Sequence, residues 1–207
     1  MPTSPIPDSS SPGTMSLEET ASHILTLLTA HGQGDYIGEP ISQLAHSLQC
    51  AHFASQHSSD PEFIVAALLH DIGQFLPATE AQSLSLSIKS MAEDVGRVGH
   101  ETIGAEYLRR LGFSRKVTEL VAAHVPAKRF LCATEPSYYE GLSEASKKSL
   151  QFQGGPMSEG EVEDWRSGEW WEDMCRLRKC DDSAKIAGLE VEDVMAYRER
   201  IEKCLSG

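Results

Sequence analysis

The feature that most constrains the fold is a run of seven apolar residues, 63–69 (FIVAALL), that ends directly in the pair His70-Asp71. Such a run predicts a buried helix, because it offers no polar stripe to solvent. Ionisable groups at the end of a buried helix need a partner or a metal ion. We therefore predict a central helix over residues 61–74 with a metal site at its end. The alternative is a C-terminal cap beside a surface charge.

Composition favours a single domain with reduced cysteines. The chain has 207 residues, 40% of them hydrophobic, which is enough to bury a core in one domain over residues 15–207. Residues 1–14 are rich in proline and serine and are predicted to form a disordered tail. The five cysteines show no CxxC spacing, which indicates free thiols and a cytoplasmic location.

Charge and hydropathy argue against two classes of partner. A net charge of −13 opposes binding to nucleic acid or to an anionic membrane surface, although it leaves room for a local basic pocket. No apolar run approaches the ~20 residues that a membrane-spanning helix requires. We therefore expect a small-molecule ligand, no nucleic acid, no membrane, and a monomer or homodimer.

Apolar residues recur at helical spacing along most of the chain, which predicts an all-α fold. Pro126 predicts that the helix capped by Ser114 ends at His124. His70, His100 and His124 would then all stand near helix ends, where side chains from several helices can converge. Other helices are predicted at 16–30, 41–56, 174–185 and 190–203, with shorter ones within 77–99 and after residues 99, 142 and 158.

Two segments each allow a plain and a functional interpretation. Residues 31–40 form a glycine-rich loop that carries Tyr36 and Glu39, and this loop is either a connection or a lid over a pocket. The helix over 174–185 places three charged residues on one face, as either an ion-pair ladder or a metal carboxylate flanked by two anion-binding cations. These residues are Arg178, Asp181 and Lys185.

The order and spacing of the histidines and carboxylates resemble the ligand set of the HD-domain superfamily of metalloproteins. The motifs LLHDIG, GHETIGA, HVPAKRFL and LRKCDDSAK are similar, more narrowly, to those of the mixed-valent diiron oxygenases of the PhnZ type. The resemblance extends from about residue 16 to the C-terminus. It implies an all-α HD-domain helical bundle with a dinuclear metal site at its centre. The matching metal ligands are His46, His70, Asp71, His100, His124 and Asp181.

The resemblance also implies how these ligands divide between two iron ions. One iron would be held by His46, His70, Asp71 and Asp181. The other would be held by His100, His124 and the second oxygen of Asp71. The implied cofactor is a mixed-valent Fe(II)/Fe(III) pair with O2 as co-substrate. Imidazole and carboxylate ligands suit iron, and the second position would keep room for substrate.

Enzymes of this type cleave the carbon–phosphorus bond of 1-hydroxyphosphonates. The resemblance therefore implies that a small anionic organophosphonate, such as a 1-hydroxy-2-aminoethylphosphonate-like compound, is oxidised to phosphate and a carboxylate. Tyr36 and Glu39 match the family's lid, and Glu39 would be free to recognise a substrate cation. The expected substrate-binding residues are Lys128, Ser146, Arg178 and Lys185.

Gln74 departs from the family pattern, in which the His-Asp-Ile-Gly motif continues with a histidine beside the reacting groups. Glutamine can donate a hydrogen bond but cannot carry a positive charge or shuttle a proton near neutral pH. We expect the metal site to be intact and the substrate to differ.

Three other functions stay open from the sequence alone. The chain could be a metal-dependent phosphohydrolase that acts on a phosphoester, an HD domain that binds a ligand without turnover, or an oxygenase that cleaves a C–C bond of a polyol, as in myo-inositol oxygenase. Release of phosphate from a hydroxyphosphonate only when O2 is present would separate the oxygenase from the hydrolase.

Overall fold

The structure, a computed structural model, describes residues 15–36, 39–84, 97 and 99–205. Within these ranges the chain is helical and contains no β-strand, although one isolated antiparallel bridge joins Asp35 to Ser42. The all-α prediction is therefore confirmed, whereas the predicted tail over residues 1–14 lies outside the described ranges. The helices are α1 (Leu17–His31), α2 (Gln43–His57), α3 (Pro61–Leu69), α4 (Ile72–Phe75), α5 (Ala78–Ser83), α6 (His100–Arg110), α7 (Arg115–Thr134), α8 (Pro136–Gly141), α9 (Glu144–Phe152), α10 (Glu159–Arg166), α11 (Trp171–Ser183), a 3-10 helix (Val194–Tyr197) and α12 (Arg198–Cys204).

Polar side chains define where several helices begin. The Ser16 hydroxyl accepts a hydrogen bond from the Glu19 N–H, and the Glu19 carboxylate accepts one from the Ser16 N–H, which forms a capping box. The side chains of Asp60, Ser114 and Ser143 cap α3, α7 and α9. These caps fix the N-termini of helices that surround the centre of the bundle.

Helix α3 forms the centre of the bundle. Every residue from Phe63 to Leu69 is at most 2% exposed, as the apolar run predicts. Helices α2, α7, α11 and α12 pack against α3, and α6 packs along α7. The C-terminal end of α3 is therefore surrounded by several helices, each able to present a side chain to it.

The predicted continuous helix over residues 61–74 is wrong, because the chain leaves the helix at the His70-Asp71 pair. Helix α3 ends at Leu69, Asp71 adopts φ −97° and ψ 10°, and α4 begins at Ile72. Helix α4 then packs closely on α6 at Gly73, where a Cβ atom would lie 2.0 Å from the carbonyl oxygen of His100. This contact requires glycine, and it brings Asp71 next to the first residue of α6.

The predicted helix end at His124 is also wrong. Helix α7 continues through Pro126 to Thr134, so His124 lies in the middle of a long helix. Proline inside a helix removes one hydrogen bond and costs about 3 kcal/mol. Burial of Phe130 and Leu131 beyond the proline offsets this cost, because each buried side chain of this kind contributes about 1.5–3 kcal/mol.

The C-terminal helices differ from prediction at their ends. Helix α11 begins at Trp171 and ends at Ser183, so Lys185 lies beyond it. The predicted helix over 190–203 is divided into the 3-10 helix and α12. The 3-10 helix begins directly after Asp193, because the carboxylate of Asp193 accepts a hydrogen bond from the Met195 N–H and caps the helix there.

All five cysteines are free thiols. No helix in the described ranges combines the length and the apolar character needed to cross a membrane.

Candidate metal centre

Six buried histidine and aspartate side chains meet at the C-terminal end of α3. They come from α2, the α3–α4 junction, α6, α7 and α11 and form two groups of three, in each of which the ligand atoms lie within 4.8 Å of one another. We call the first the deep group, which consists of His46, His70 and Asp181. We call the second the cavity-side group, which consists of Asp71, His100 and His124. These are the six residues that the sequence predicts as ligands.

Two pairs of imidazole nitrogens approach each other at the centre. Nε2 of His46 lies 3.1 Å from Nε2 of His70, and Nε2 of His100 lies 3.0 Å from Nε2 of His124. On the other side of each ring, Nδ1 lies 2.7 to 2.9 Å from a backbone carbonyl oxygen. A carbonyl oxygen only accepts, so each Nδ1 carries the hydrogen, and in neutral rings the Nε2 lone pairs face one another. Either a proton or a metal ion between the two nitrogens relieves this repulsion, and an Nδ1 that donates to a carbonyl while Nε2 stays available is the pattern of metal-binding histidines.

Asp71 joins the two groups through its two carboxylate oxygens. Oδ1 lies 3.0 Å from Nε2 of His100 and 3.6 Å from Nε2 of His124. Oδ2 lies 3.4 Å from Nε2 of His70 and 3.8 Å from Nε2 of His46. A carboxylate that divides its oxygens between two imidazole pairs is arranged to bridge two metal ions.

Asp181 gives a direct test of whether a metal fits this centre. Its Oδ1 is buried and has no hydrogen-bond partner, although it lies 3.3 Å from Nε2 of His46. A buried carboxylate oxygen without a hydrogen bond is unfavourable unless a cation occupies the space beside it. Two imidazoles with this oxygen form a nitrogen and oxygen donor set that suits iron. The residues present therefore fit a metal ion.

Three of the six ligands are held in the protonation state that binds metal ions. Burial raises the pKa of Asp71, but His70 and His100 outweigh this effect and hold the pKa well below its usual range. Burial likewise raises the pKa of Asp181, and the neighbouring arginine and histidines bring it well below its usual range. Burial and the two nearby histidines lower the pKa of His124 well below its usual range. Ionised carboxylates and a neutral imidazole are the forms that bind metal ions. Burial lowers the pKa of His70 and His100, but Asp71 outweighs this effect and raises both, that of His70 well above its usual range, so a metal ion that binds there releases protons.

A cavity of about 90 Å³ opens onto the cavity-side group. Asp181 also reaches its wall, whereas His46 and His70 do not line it. All the residues that the sequence predicts as substrate or lid contacts line the same cavity. These residues are Tyr36, Glu39, Gln74, Lys128, Ser146, Arg178 and Lys185.

Two lysines converge on Ser146 at one wall of this cavity. Nζ of Lys185 donates to the Ser146 hydroxyl at 3.1 Å. Nζ of Lys128 lies 3.5 Å from the Ser146 carbonyl oxygen and donates to the Ser149 hydroxyl at 2.7 Å. Burial, together with the positive charge of Arg178, lowers the pKa of Lys128 to about 7. An anion placed here would favour the protonated form of this lysine.

Arg178 is held by carboxylates rather than left open to the cavity. Its Nη1 lies 2.8 Å from Oδ2 of Asp181. Its Nε donates to Oδ2 of Asp182 at 3.2 Å and to the Tyr138 hydroxyl at 3.3 Å. The two carboxylates thus balance the positive charge of the guanidinium. The ion pair with Arg178 in turn orients the Asp181 side chain. A direct contact of Arg178 with substrate stays a prediction.

The two predicted lid residues occupy different places. The Tyr36 ring stacks on the His46 imidazole, with centroids 3.9 Å apart and an interplanar angle of 16°. Burial raises the pKa of Tyr36 well above its usual range, so the phenol stays protonated. Glu39 Oε1 is buried without a hydrogen-bond partner and lies 3.8 Å from Nζ of Lys185. Tyr36 covers the deep group and Glu39 faces the cavity, while their movement as a lid stays a prediction.

Two further residues belong to this site although the sequence assigned neither of them a role. Gln153 stands out in the sequence only as the first residue of a Gln-Gly-Gly-Pro-Met motif similar to the family's. Gln153 lines the cavity with its Oε1 buried and without a hydrogen-bond partner, and the Gly-Gly-Pro motif that follows it was the available signal. Arg97 donates its backbone N–H to Oε1 of Gln74 at 2.8 Å. No sequence pattern marks Arg97, because its role depends on a contact across 23 residues of chain.

Comparisons with known proteins agree with this geometry. The model of the HD domain family matches residues 44–149. The chain is 40% identical over 187 residues to the hydroxymethylphosphonate dioxygenase of Gimesia maris. The aligned region covers 90% of this chain and 89% of that protein. It is 38% identical over 172 residues to the glycine-betaine-forming 1-hydroxy-2-(trimethylamino)ethylphosphonate dioxygenase of Leisingera caerulea, with 83% of each chain covered.

A helical bundle that gathers paired histidines and aspartates at the end of a central helix defines the HD-domain class. The chain belongs to the HD-domain family and, within it, to the PhnZ-type group that these two dioxygenases represent.

Proposed function

We propose that this protein is an oxygenase that uses O2 and a mixed-valent pair of iron ions to cleave the C–P bond of a small 1-hydroxyphosphonate. The products are phosphate and a carboxylate. One hydroxyphosphonate and one O2 account for all atoms of one carboxylic acid and one phosphoric acid, with no other co-reactant. Dioxygen is reduced, and its electrons come from the C–H and C–P bonds of the substrate.

The position of Asp71 carries this proposal. Its two oxygens lie between two imidazole pairs, with Oδ1 3.0 Å from His100 and Oδ2 3.4 Å from His70, and its side chain also reaches the wall of the cavity. The names of the two relatives, both phosphonate dioxygenases, support an oxygenase that acts on a phosphonate.

Two iron ions would be held by the deep group and the cavity-side group, with Asp71 shared between them. When bound, iron supplies the redox chemistry that O2 requires and a Lewis acid for the substrate hydroxyl. The four backbone carbonyls that accept from the Nδ1 atoms hold each imidazole in one tautomer and one orientation.

The lysines at Ser146 would bind the phosphonate. Lys128, Lys185 and the Ser146 hydroxyl offer several donors at one wall of the cavity, and charge-assisted donors of this kind suit a phosphonate oxygen. Arg178 adds positive charge to this wall, but its two carboxylate partners keep it oriented toward Asp181. The lysines therefore supply positive charge for a dianionic substrate, and Glu39, 3.8 Å from Nζ of Lys185, balances a part of that charge.

The names of the two relatives and the charges on the cavity wall indicate which substrates to test. The more similar of these two relatives, at 40% identity, is named for hydroxymethylphosphonate. Among the described residues that line the cavity, Glu39 is the one carboxylate outside the two ligand groups, and Lys185 lies 3.8 Å from it and already balances part of its charge. Hydroxymethylphosphonate is therefore the first substrate to test, followed by hydroxyphosphonates that carry an amino or trimethylammonio group.

The decisive experiment measures phosphate release and O2 consumption together, with iron-loaded protein and hydroxymethylphosphonate. We expect equal amounts of phosphate formed and O2 consumed, and no phosphate under strict anaerobiosis. Phosphate release without O2, or release from a phosphoester but from no hydroxyphosphonate, would contradict the proposal. Either result would favour the metal-dependent phosphohydrolase.

A further inference from the structure

We propose that Gln74 and Arg97 form a clamp that orients His100 and so sets the metal affinity of the cavity-side group. This inference rests on the two-metal centre of the proposed function. It gives Gln74 a positioning role through a backbone group, in addition to its place on the cavity wall.

The clamp ties Arg97 to α4 and to Leu76, the residue directly after it, at three points. Oε1 of Gln74 accepts a hydrogen bond from the Arg97 N–H at 2.8 Å. The Arg97 guanidinium donates to the carbonyl oxygen of Gly73 at 2.6 Å and to that of Leu76 at 2.9 Å. Both the backbone and the side chain of Arg97 are therefore fixed to the short helix that follows Asp71.

The carbonyl group of Arg97 passes this restraint to His100. Its oxygen lies 2.9 Å from Nδ1 of His100 and also accepts the His100 backbone N–H at 3.2 Å. The Nδ1 bond determines the tautomer and the rotation of the ring, and so the direction in which Nε2 points. A shift of residue 97 would therefore change the direction in which Nε2 of His100 points relative to Asp71 and His124.

A comparison with two other ligands shows why this acceptor needs a clamp. Nδ1 of His70 and Nδ1 of His124 also donate to the carbonyl three residues earlier, at Ala67 and Val121. Those carbonyls lie inside α3 and α7, where the helices hold them. Arg97 precedes α6 and is not in a helix, so its carbonyl depends on contacts from outside. Gln74 and the backbone of α4 provide them.

Metal binding tests the clamp without relying on turnover. The metal-free full-length protein would be titrated anaerobically with cobalt(II), and two binding constants would be measured from the visible absorption of the bound ion. Loss of a partner that orients a ligand typically weakens metal binding 10- to 100-fold. We expect Gln74→Met and Arg97→Met to weaken one of the two constants by roughly this factor and to leave the other within about twofold.

Further variants separate positioning from a general structural effect. Gln74→Glu keeps an acceptor for the Arg97 N–H and should retain most of the affinity. Arg109→Met and Gln56→Met, on exposed faces of α6 and α2, are matched controls and should change neither constant. His100→Ala should abolish the cavity-side constant and so identifies it. In that background Gln74→Met should leave the remaining deep-group constant unchanged, because the ligand through which it acts is gone.

Several results would overturn the clamp. These are two unchanged constants in Gln74→Met and Arg97→Met, equal weakening of both constants, or an undiminished effect of Gln74→Met in the His100→Ala background. A wild-type chain that binds fewer than two cobalt ions would overturn it as well. A chain that binds two ions and responds as expected, but never releases phosphate from a hydroxyphosphonate, would remove the proposed oxygenase and leave the clamp in place.

Discussion

The deep group and the cavity-side group use similar ligands in different surroundings. His46 and His70 of the deep group are 0% exposed, and the Tyr36 ring covers His46. Asp71 and His100 of the cavity-side group are 7% and 8% exposed and reach the cavity wall. Closed ligand sets are typical of metal ions that stay in place, whereas sites with an open side allow substrate to bind. The comparison supports the proposal that substrate binds at the cavity-side group.

The largest effect should come from removing the residue that both groups share. We expect Asp71→Ala to lower metal affinity at both positions by more than the ~100-fold that marks the loss of an orienting partner. Metal analysis after dialysis should then give close to zero ions per chain, compared with two for the wild type. Normal metal content in Asp71→Ala would refute the bridging role, and His100→Ala, which should keep the deep-group ion, is the matched comparison.

The next largest effect concerns the contact that brings the two groups together. Gly73→Ala would place a Cβ atom 2.0 Å from the His100 carbonyl oxygen, so α4 and α6 must separate. We expect the free energy of unfolding to fall by about 3 kcal/mol, at the upper end of the usual cost of overpacking. Chemical denaturation would measure this loss. Gly160→Ala is the control, because nothing lies within 4 Å of its added Cβ, and equal stability of the two variants would contradict the contact.

A smaller effect should be confined to the cavity side. Lys128→Met should keep both metal ions but raise KM for the hydroxyphosphonate by roughly 30-fold, since a hydrogen bond to a charged group contributes about 2 kcal/mol. Steady-state kinetics and metal analysis of the same samples would show whether KM rises while the metal content stays unchanged. Loss of metal from Lys128→Met would mean that this lysine supports the centre rather than the substrate.

The same lysine predicts a pH dependence. The pKa of Lys128 is lowered to about 7, so its positive charge is present below pH 7 and is lost as the pH rises through that value. We expect KM of the wild type to rise above pH 7. Lys128→Arg keeps its charge over this range and should show a flatter profile. Identical profiles for the two proteins would assign the pH dependence to another group.

The smallest effect should come from Glu39, a cavity residue outside the two ligand groups. Glu39→Gln should reduce kcat/KM severalfold for hydroxyphosphonates with a cationic substituent, because Lys185 already screens this carboxylate. Hydroxymethylphosphonate should be affected less than twofold. Equal losses for both kinds of substrate would mean that Glu39 acts on the centre and not on the substituent.

The sequence was most informative about the ligands and least informative about the backbone that presents them. The histidines and aspartates were identified because their order resembles a known family, and their burial follows from the apolar run at 63–69. The interruption at His70-Asp71 could not be predicted from that run, because it depends on packing of Gly73 against α6. Helical periodicity continues across the pair and gives no local signal for the break.

Pro126 and Gln74 show the same limit of prediction from local sequence. Pro126 indicates a helix end by local rules, but burial on both sides of it keeps α7 intact. Gln74 was recognised as a departure from the family motif, yet its partner Arg97 lies 23 residues away and its contact is visible only in three dimensions. Local sequence patterns therefore identify which residues are chemically able to act, and tertiary packing determines where their side chains point.

The contact between α4 and α6 has a consequence for how this centre can vary between related chains. A Cβ at Gly104 would lie 3.1 Å from the backbone nitrogen of Gly73, so two glycines face each other and the two backbones touch. The distance between Asp71 and His100 is thus set by direct contact between two main chains, with no side chain between them. Core residues around it can be exchanged for others of similar volume without changing that separation. A lineage that keeps both glycines can alter its cavity, and with it the substrate, while the spacing of the metal ligands is inherited unchanged.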